Sequence, residues 1–196
     1  MKLSLILAAL GSIGIVACAS PSAARGAAAA ATLAKPTADV VRVEQTRVVA
    51  ARIHPLVPVR ATVEGDVISI RYGRGSRAGA VAHLSSGSLS PVAPEAQVEG
   101  EAPTLPSTEA RRVALRGGRF VECFLVGSTE RGFRLMAQEW SSRGSRLGLP
   151  VPISPPDADV MAAPQLVAID GQRAVATFVA TYDEHYELLA VAMDVL

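Results

Sequence analysis

The sequence predicts an all-β domain of antiparallel meander repeats, each of about 53 residues. Three observations carry this. Segments 66–72, 119–125 and 173–179 superpose as alternating or continuous apolar runs of strand length. Each is preceded by glycine, at Gly65, Gly117-Gly118 and Gly171. Each is followed, after a polar loop, by another apolar run, at 80–84, 135–139 and 188–192.

Taken in chain order, every unit reads as strand, tight turn, strand, polar loop, strand. The first strands are 59–63, 112–115 and 166–169. The turns after them are expected at Glu64-Gly65, Gly117-Gly118 and Asp170-Gly171, because hairpin turns need the positive φ that glycine supplies cheaply. The second strands assign faces by their period of two. One face carries Ile68, Ile70 and Tyr72, then Val121, Cys123 and Leu125, then Val175, Thr177 and Val179. This set is the more consistently apolar and is expected to be the deeper side. The opposite face carries Val67, Ser69 and Arg71, then Phe120, Glu122 and Phe124, then Ala174, Ala176 and Phe178. In the second and third units both faces read as largely covered. Phe124 and Phe178 are expected at matching sites. The last half unit, 173–196, is expected to pair with the first, 41–66, so that strand edges are hidden.

Ahead of the repeats lie two segments of another kind. Residues 1–17 read as a secretory signal: Lys2 gives one positive charge, and 3–16 is an uncharged, mostly apolar run. That run is shorter than the roughly 20 residues of a spanning helix. Residues 18–40 are small and alanine-rich, with Leu33 the only large apolar side chain. Such a stretch buries too little to offset its ordering entropy and reads as a disordered tether. A packed alanine-rich helix is the alternative. The β-repeat domain is then 41–196.

Ile15-Val16-Ala17-Cys18 resembles the lipobox of bacterial lipoproteins. The resemblance implies cleavage before Cys18 and lipidation of its thiol and amine; an ordinary signal peptide, cut after Ala17 or Ala19, is the other reading. Two or more acyl chains hold a protein firmly on a bilayer, at about 0.8 kcal/mol per buried CH₂. Ala19 stands where inner-membrane lipoproteins commonly carry aspartate. The resemblance therefore implies the cell envelope, and the outer membrane if the source is Gram-negative. The tandem meanders, and the stretch 133–154 with its Gly148 turn and Pro150-Val151-Pro152-Ile153-Ser154 lead-out, resemble β-propeller blades of secreted bacterial proteins. Propellers usually have four to eight blades, so a partial propeller or a compact sheet stack is expected here.

Chemistry is sparse. With 19 basic and 18 acidic residues the chain has no basic excess for nucleic acid. Two cysteines make no disulfide framework or zinc site, and no cofactor or metal site is expected. Cys123 aligns with Ile70 and Thr177 and reads as a small buried residue. Glu122 lies mid-strand, either as a buried acid or paired with an arginine. Asp157 and Asp159 sit in a proline-rich connection without a visible calcium ligand set. Four residues are candidates for partner binding: Trp140, which either caps the sheet or anchors a partner, and the loop residues Asp183, Glu184 and His185. No phosphate loop, G-x-S-x-G or H-E-x-x-H occurs. The expected function is a lipid-anchored, non-enzymatic envelope protein displaying a β-repeat surface to a protein or glycan. The alternative is an accessory or sensor lipoprotein that binds a small ligand or metal through its loops.

Overall fold

The computed structural model describes residues 41–75, 78–105, 107–182 and 185–196. The signal segment, Cys18, the tether, Asp183 and Glu184 lie outside the described residues.

Every strand pairing is antiparallel, and the described residues form three sheets with no closed barrel. In chain order the strands are β1 (Val41–Ala51), β2 (Arg60–Glu64), β3 (Val67–Gly73), β4 (Ala78–Ser85), β5 (Ala96–Glu99), β6 (Arg111–Ala114), β7 (Phe120–Ser128), β8 (Gly132–Trp140), β9 (Arg146–Pro152), β10 (Asp159–Val160), β11 (Gln165–Ala168), β12 (Arg173–Tyr182) and β13 (His185–Val195). Sheet I is β2-β3-β4-β5 and sheet II is β6-β7-β8-β9. Sheet III runs β1-β13-β12, with β10 and β11 sharing the far edge of β12. The three aligned segments are β3, β7 and β12, the second strand of each repeat, as the periodicity predicts.

The turns differ in detail from expectation. In the first hairpin Glu64 pairs with Val67, so the two-residue turn is Gly65-Asp66, one position later than predicted. Gly65 takes φ 58°, which an L side chain adopts only with strain. The third turn is not a glycine turn. Gly171 has an ordinary φ, and the Asp170 carboxylate instead accepts hydrogen bonds from the Gln172 and Arg173 amides. This is an Asx turn, a local device that the Asp-Gly pair disguises.

Sheet III is the middle layer. One of its faces, with Ala174, Ala176, Phe178 and Ala180, packs with Val121, Cys123, Leu135 and Ala137 of sheet II. Its other face, with Val175, Val179, Leu188 and Ala190, packs with Ile68, Ile70, Tyr72 and Ala80 of sheet I. The many alanines keep the middle layer thin, and the flanking sheets supply the bulk. The expectation that 173–196 pairs with the start of the domain holds, through β1. That strand runs along β13 from Val41↔Val195 to Ala51↔Glu187. Segment 59–63 contributes β2, which pairs with β3 in sheet I as the hairpin predicted for the first repeat.

The outer faces overturn one expectation. In the third repeat both faces are buried, but in the second the outer face is buried only in part, at Glu122 and Gln138. Phe178 is 1% exposed, whereas Phe124 is half-buried on a face of sheet II that no other sheet of the described residues covers.

Candidate binding surface

The open face of sheet II is set by strand alternation and cross-strand register. Arg112, Glu122 and Gln138 form one row across β6, β7 and β8; Phe120, Trp140 and Arg146 form the next across β7, β8 and β9. Phe120 and Trp140 stack with centroids 5.9 Å apart and planes 10° from parallel. The Arg112 guanidinium lies 5.0 Å from the Phe120 centroid and 5.5 Å from that of Trp140. Arg146 lies 5.3 Å from the Trp140 ring. Each such contact is worth about 0.5–1 kcal/mol when exposed. Arg112 Nε also donates to Glu122 Oε1 at 2.7 Å, so Glu122 is the paired acid of the two sequence alternatives.

A bulge shapes the middle of this face. The β8–β9 register shifts between Ala137 and Glu139, so that Gln138 lies opposite extra residues of β9, which bury it. Its Nε2 donates to the Leu147 carbonyl at 2.8 Å and the Glu139 carbonyl at 2.9 Å. Its Oε1 is buried and meets no donor among the described residues, and the Trp140 Nε1–H is likewise buried and meets no acceptor among them. A buried polar atom left unpaired costs about 1–3 kcal/mol. Beside these atoms runs a groove of about 300 Å³ lined by Glu122, Phe124, Gln138, Trp140 and Pro150. Two arginines against one carboxylate leave the face electropositive.

The inner side of sheet II is chemically quiet. Cys123 is fully buried, and that burial pushes its thiol well above the usual range, with the Glu122 charge adding to it. It packs as a small apolar residue, as its alignment predicts. Glu139 is also fully buried. Burial pushes its carboxyl up, and Arg119, with Nη1 at 2.7 Å, pulls it only part of the way back. That Nη1 also donates to the Leu196 carbonyl, joining sheet II to the residue after β13.

The sequence candidates are not gathered in one place. Trp140 belongs to the open face of sheet II. His185 begins β13 in sheet III, where its Nε2 lies 3.0 Å from Glu187 Oε1. Among the described residues no group of three or more metal-ligating side chains occurs. Asp159 is committed locally: its Oδ1 accepts the Phe133 amide at 2.7 Å. Sequence reasoning missed Arg112, Gln138 and Arg146 as members of the face. Alternation along β6–β9 would have placed Arg112 beside Glu122, but the bulge that sets Gln138 leaves no local motif.

No family model matches the chain, and no curated protein matches it. Among solved structures it is similar to the α-L-arabinofuranosidase PaAbf62A from Podospora anserina, solved in complex with cellotriose. The identity is 9% and the TM-score 0.32, over 69% of this chain and 53% of that one. The chain thus spans about half the length of the structure it matches, at a likeness too slight to say anything about function.

Proposed function

We propose that this is a lipid-anchored, non-enzymatic envelope protein that binds a protein partner through the open face of sheet II. The observation that carries the reading is a pair of buried polar atoms without partners among the described residues, Gln138 Oε1 and Trp140 Nε1, on an aromatic face that no other sheet of those residues covers. Aromatic residues and arginine are the side chains enriched at protein interfaces. The Trp140 ring is already flanked by Phe120 and two arginines, which disfavours stacking against a sugar. The partner's matching surface is apolar with acidic groups, to meet Arg112 and Arg146. The Ile15–Cys18 motif supports anchoring through Cys18, and Ala19 supports the outer membrane in a Gram-negative source. The non-enzymatic reading rests on Glu122 and Glu139 being held by arginines and on Cys123 being sealed in the core.

Photo-crosslinking in cells tests this. A crosslinking residue at position 124 of the full chain is expected to give one discrete protein adduct, lost in Arg146→Glu. An adduct insensitive to Arg146→Glu, or binding to purified cell-wall glycan instead, rejects the protein-partner reading. Fatty-acid labelling that persists equally in Cys18→Ser rejects the anchor.

A further inference from the structure

The charge of sheet II is lopsided. Between positions 111 and 146 the chain carries eight arginines against three glutamates, although the whole chain is nearly neutral. Strand direction sends much of that excess to one end. β7 starts there and β8 ends there, which brings the turn 116–119, Arg-Gly-Gly-Arg, beside the turn 141–145, Ser-Ser-Arg-Gly-Ser. The turns touch: a side-chain carbon at Gly118 would sit 3.1 Å from Ser142 Cβ. Arg146 follows at the start of β9, its guanidinium 5.3 Å from the Trp140 ring.

Carboxylates at this end are already committed. Glu139 is buried against Arg119, Asp170 is paired with Arg173, and Glu44 and Asp194 face Arg173 as well. Arg116, Arg143 and Arg146 are exposed and form no ion pair among the described residues. The described part of the domain also begins here. Val41 pairs with Val195, and the Leu196 carbonyl accepts from Arg119 Nη1 at 3.0 Å. The start of β1 and the arginine turns thus share one end of the molecule. Beside Arg116 and Arg143 the turns hold only glycine and serine. They present charge without the apolar centre of a protein interface, which suits a flat anionic surface that each arginine meets independently.

We propose that this arginine end of sheet II docks on an anionic phospholipid surface, with Arg116, Arg143 and Arg146 meeting headgroup phosphates. The orientation rests on the Cys18 anchor of the proposed function, which would bring the start of β1 toward the bilayer. The affinity for anionic lipid does not rest on it.

The test uses the full chain carrying Cys18→Ser, so that no acyl chain contributes, in flotation with two kinds of vesicle: phosphatidylcholine alone, and phosphatidylcholine mixed with phosphatidylglycerol. Any apolar contribution of residues 3–16 appears with both. At low salt the anionic vesicles are expected to bind about tenfold more tightly or better, and the advantage should vanish toward about 1 M salt. Arg116→Gln and Arg143→Gln should each weaken binding to them about fivefold, the equivalent of about 1 kcal/mol. Glutamine keeps the aliphatic stem with which Arg116 packs on Gly171. Arg131→Gln removes the same charge from the β7–β8 turn at the opposite end and should change nothing. Equal binding to both vesicles overturns the proposal, and so do equal losses in Arg116→Gln and Arg131→Gln. The adduct from position 124 should survive the double variant. Its loss there, with vesicle affinity unchanged, would assign the arginine end to the protein interface and overturn the proposal. Fatty-acid labelling tests the anchor separately, so its failure and that of the lipid dock are distinguishable.

Discussion

β7 and β12 hold the same place in successive repeats, yet they live in different surroundings. Both are second strands, both alternate, and both carry phenylalanine at the equivalent outer position, Phe124 and Phe178. β12 lies between two sheets, so both its rows are buried, and its outer row shrinks to Ala174, Ala176 and Ala180 around one phenylalanine. β7 is covered on one side only. Its outer row keeps Phe120, Glu122 and Phe124, an aromatic and charged set that serves an open face. A repeat therefore specifies strand position and register, while position in the stack decides what each face must do.

The sharpest way to break this comparison is truncation of the two phenylalanines. Phe178→Ala should cost about 3–5 kcal/mol, since it empties a sealed site between two sheets. Phe124→Ala should cost under about 1 kcal/mol, since water already reaches that ring. Urea denaturation of both variants measures the difference. Equal losses would mean that the face of sheet II is core after all.

How far this was readable from the residues follows from the same contrast. Strand order, the repeat and the inner face of β3, β7 and β12 were legible, because a period of two and recurring glycines are local signals. The pairing of 173–196 with 41–66 was legible as a need to hide edges, and β1, which carries it, lies inside that predicted segment. The coverage of Phe124 was misread for a physical reason. Alternation shows that a face is apolar, and an interface face is apolar too; only the order of sheets in space separates the two. Trp140 stood out as a candidate by its type alone. Its neighbours Arg112, Gln138 and Arg146 emerge from cross-strand register and a bulge, which no short stretch of sequence displays.

The next largest effect concerns the seam between sheet II and the end of β13. Glu139 is fully buried and Arg119 is its partner at 2.7 Å. Arg119→Ala leaves that carboxylate buried and alone. The loss at neutral pH should be roughly 2–3 kcal/mol, toward the low end for a buried pair because Arg119 is itself partly exposed. Its pH dependence has a definite sign. Burial holds the folded Glu139 carboxyl above its usual range. A raised carboxyl contributes stability that is fully present below the unfolded value and is lost as pH rises through the folded one. Removing Arg119 raises it further, so the gap between variant and wild type should be wide at neutral pH and narrow toward about pH 4. Denaturation curves at the two pH values measure this, and a gap independent of pH would show that Glu139 is not the group left stranded.

The smallest effect on stability is the most telling about function. Trp140 either caps the sheet or serves the open face. As a cap, its ring would be core, and Trp140→Phe would cost a sizeable part of the 3 kcal/mol or so that a buried aromatic supplies. As a face residue it has two opposing contributions. Phenylalanine loses some ring area and part of the attraction to Arg112 and Arg146. It also removes the indole N–H, which is buried without an acceptor among the described residues and so costs about 1–3 kcal/mol. These nearly cancel, and the net change should stay under about 1 kcal/mol. The crosslinked adduct formed from position 124 should nonetheless weaken severalfold, because a partner that accepts the Nε1 proton loses that bond. Thermal denaturation and crosslinking yield on the same variant read the two quantities separately. A large stability loss with unchanged crosslinking would make Trp140 a structural cap and move the interface elsewhere. Unchanged stability with reduced crosslinking would tie the unpaired indole N–H to the partner and complete the contrast with Phe178, whose truncation is expected to act through the core alone.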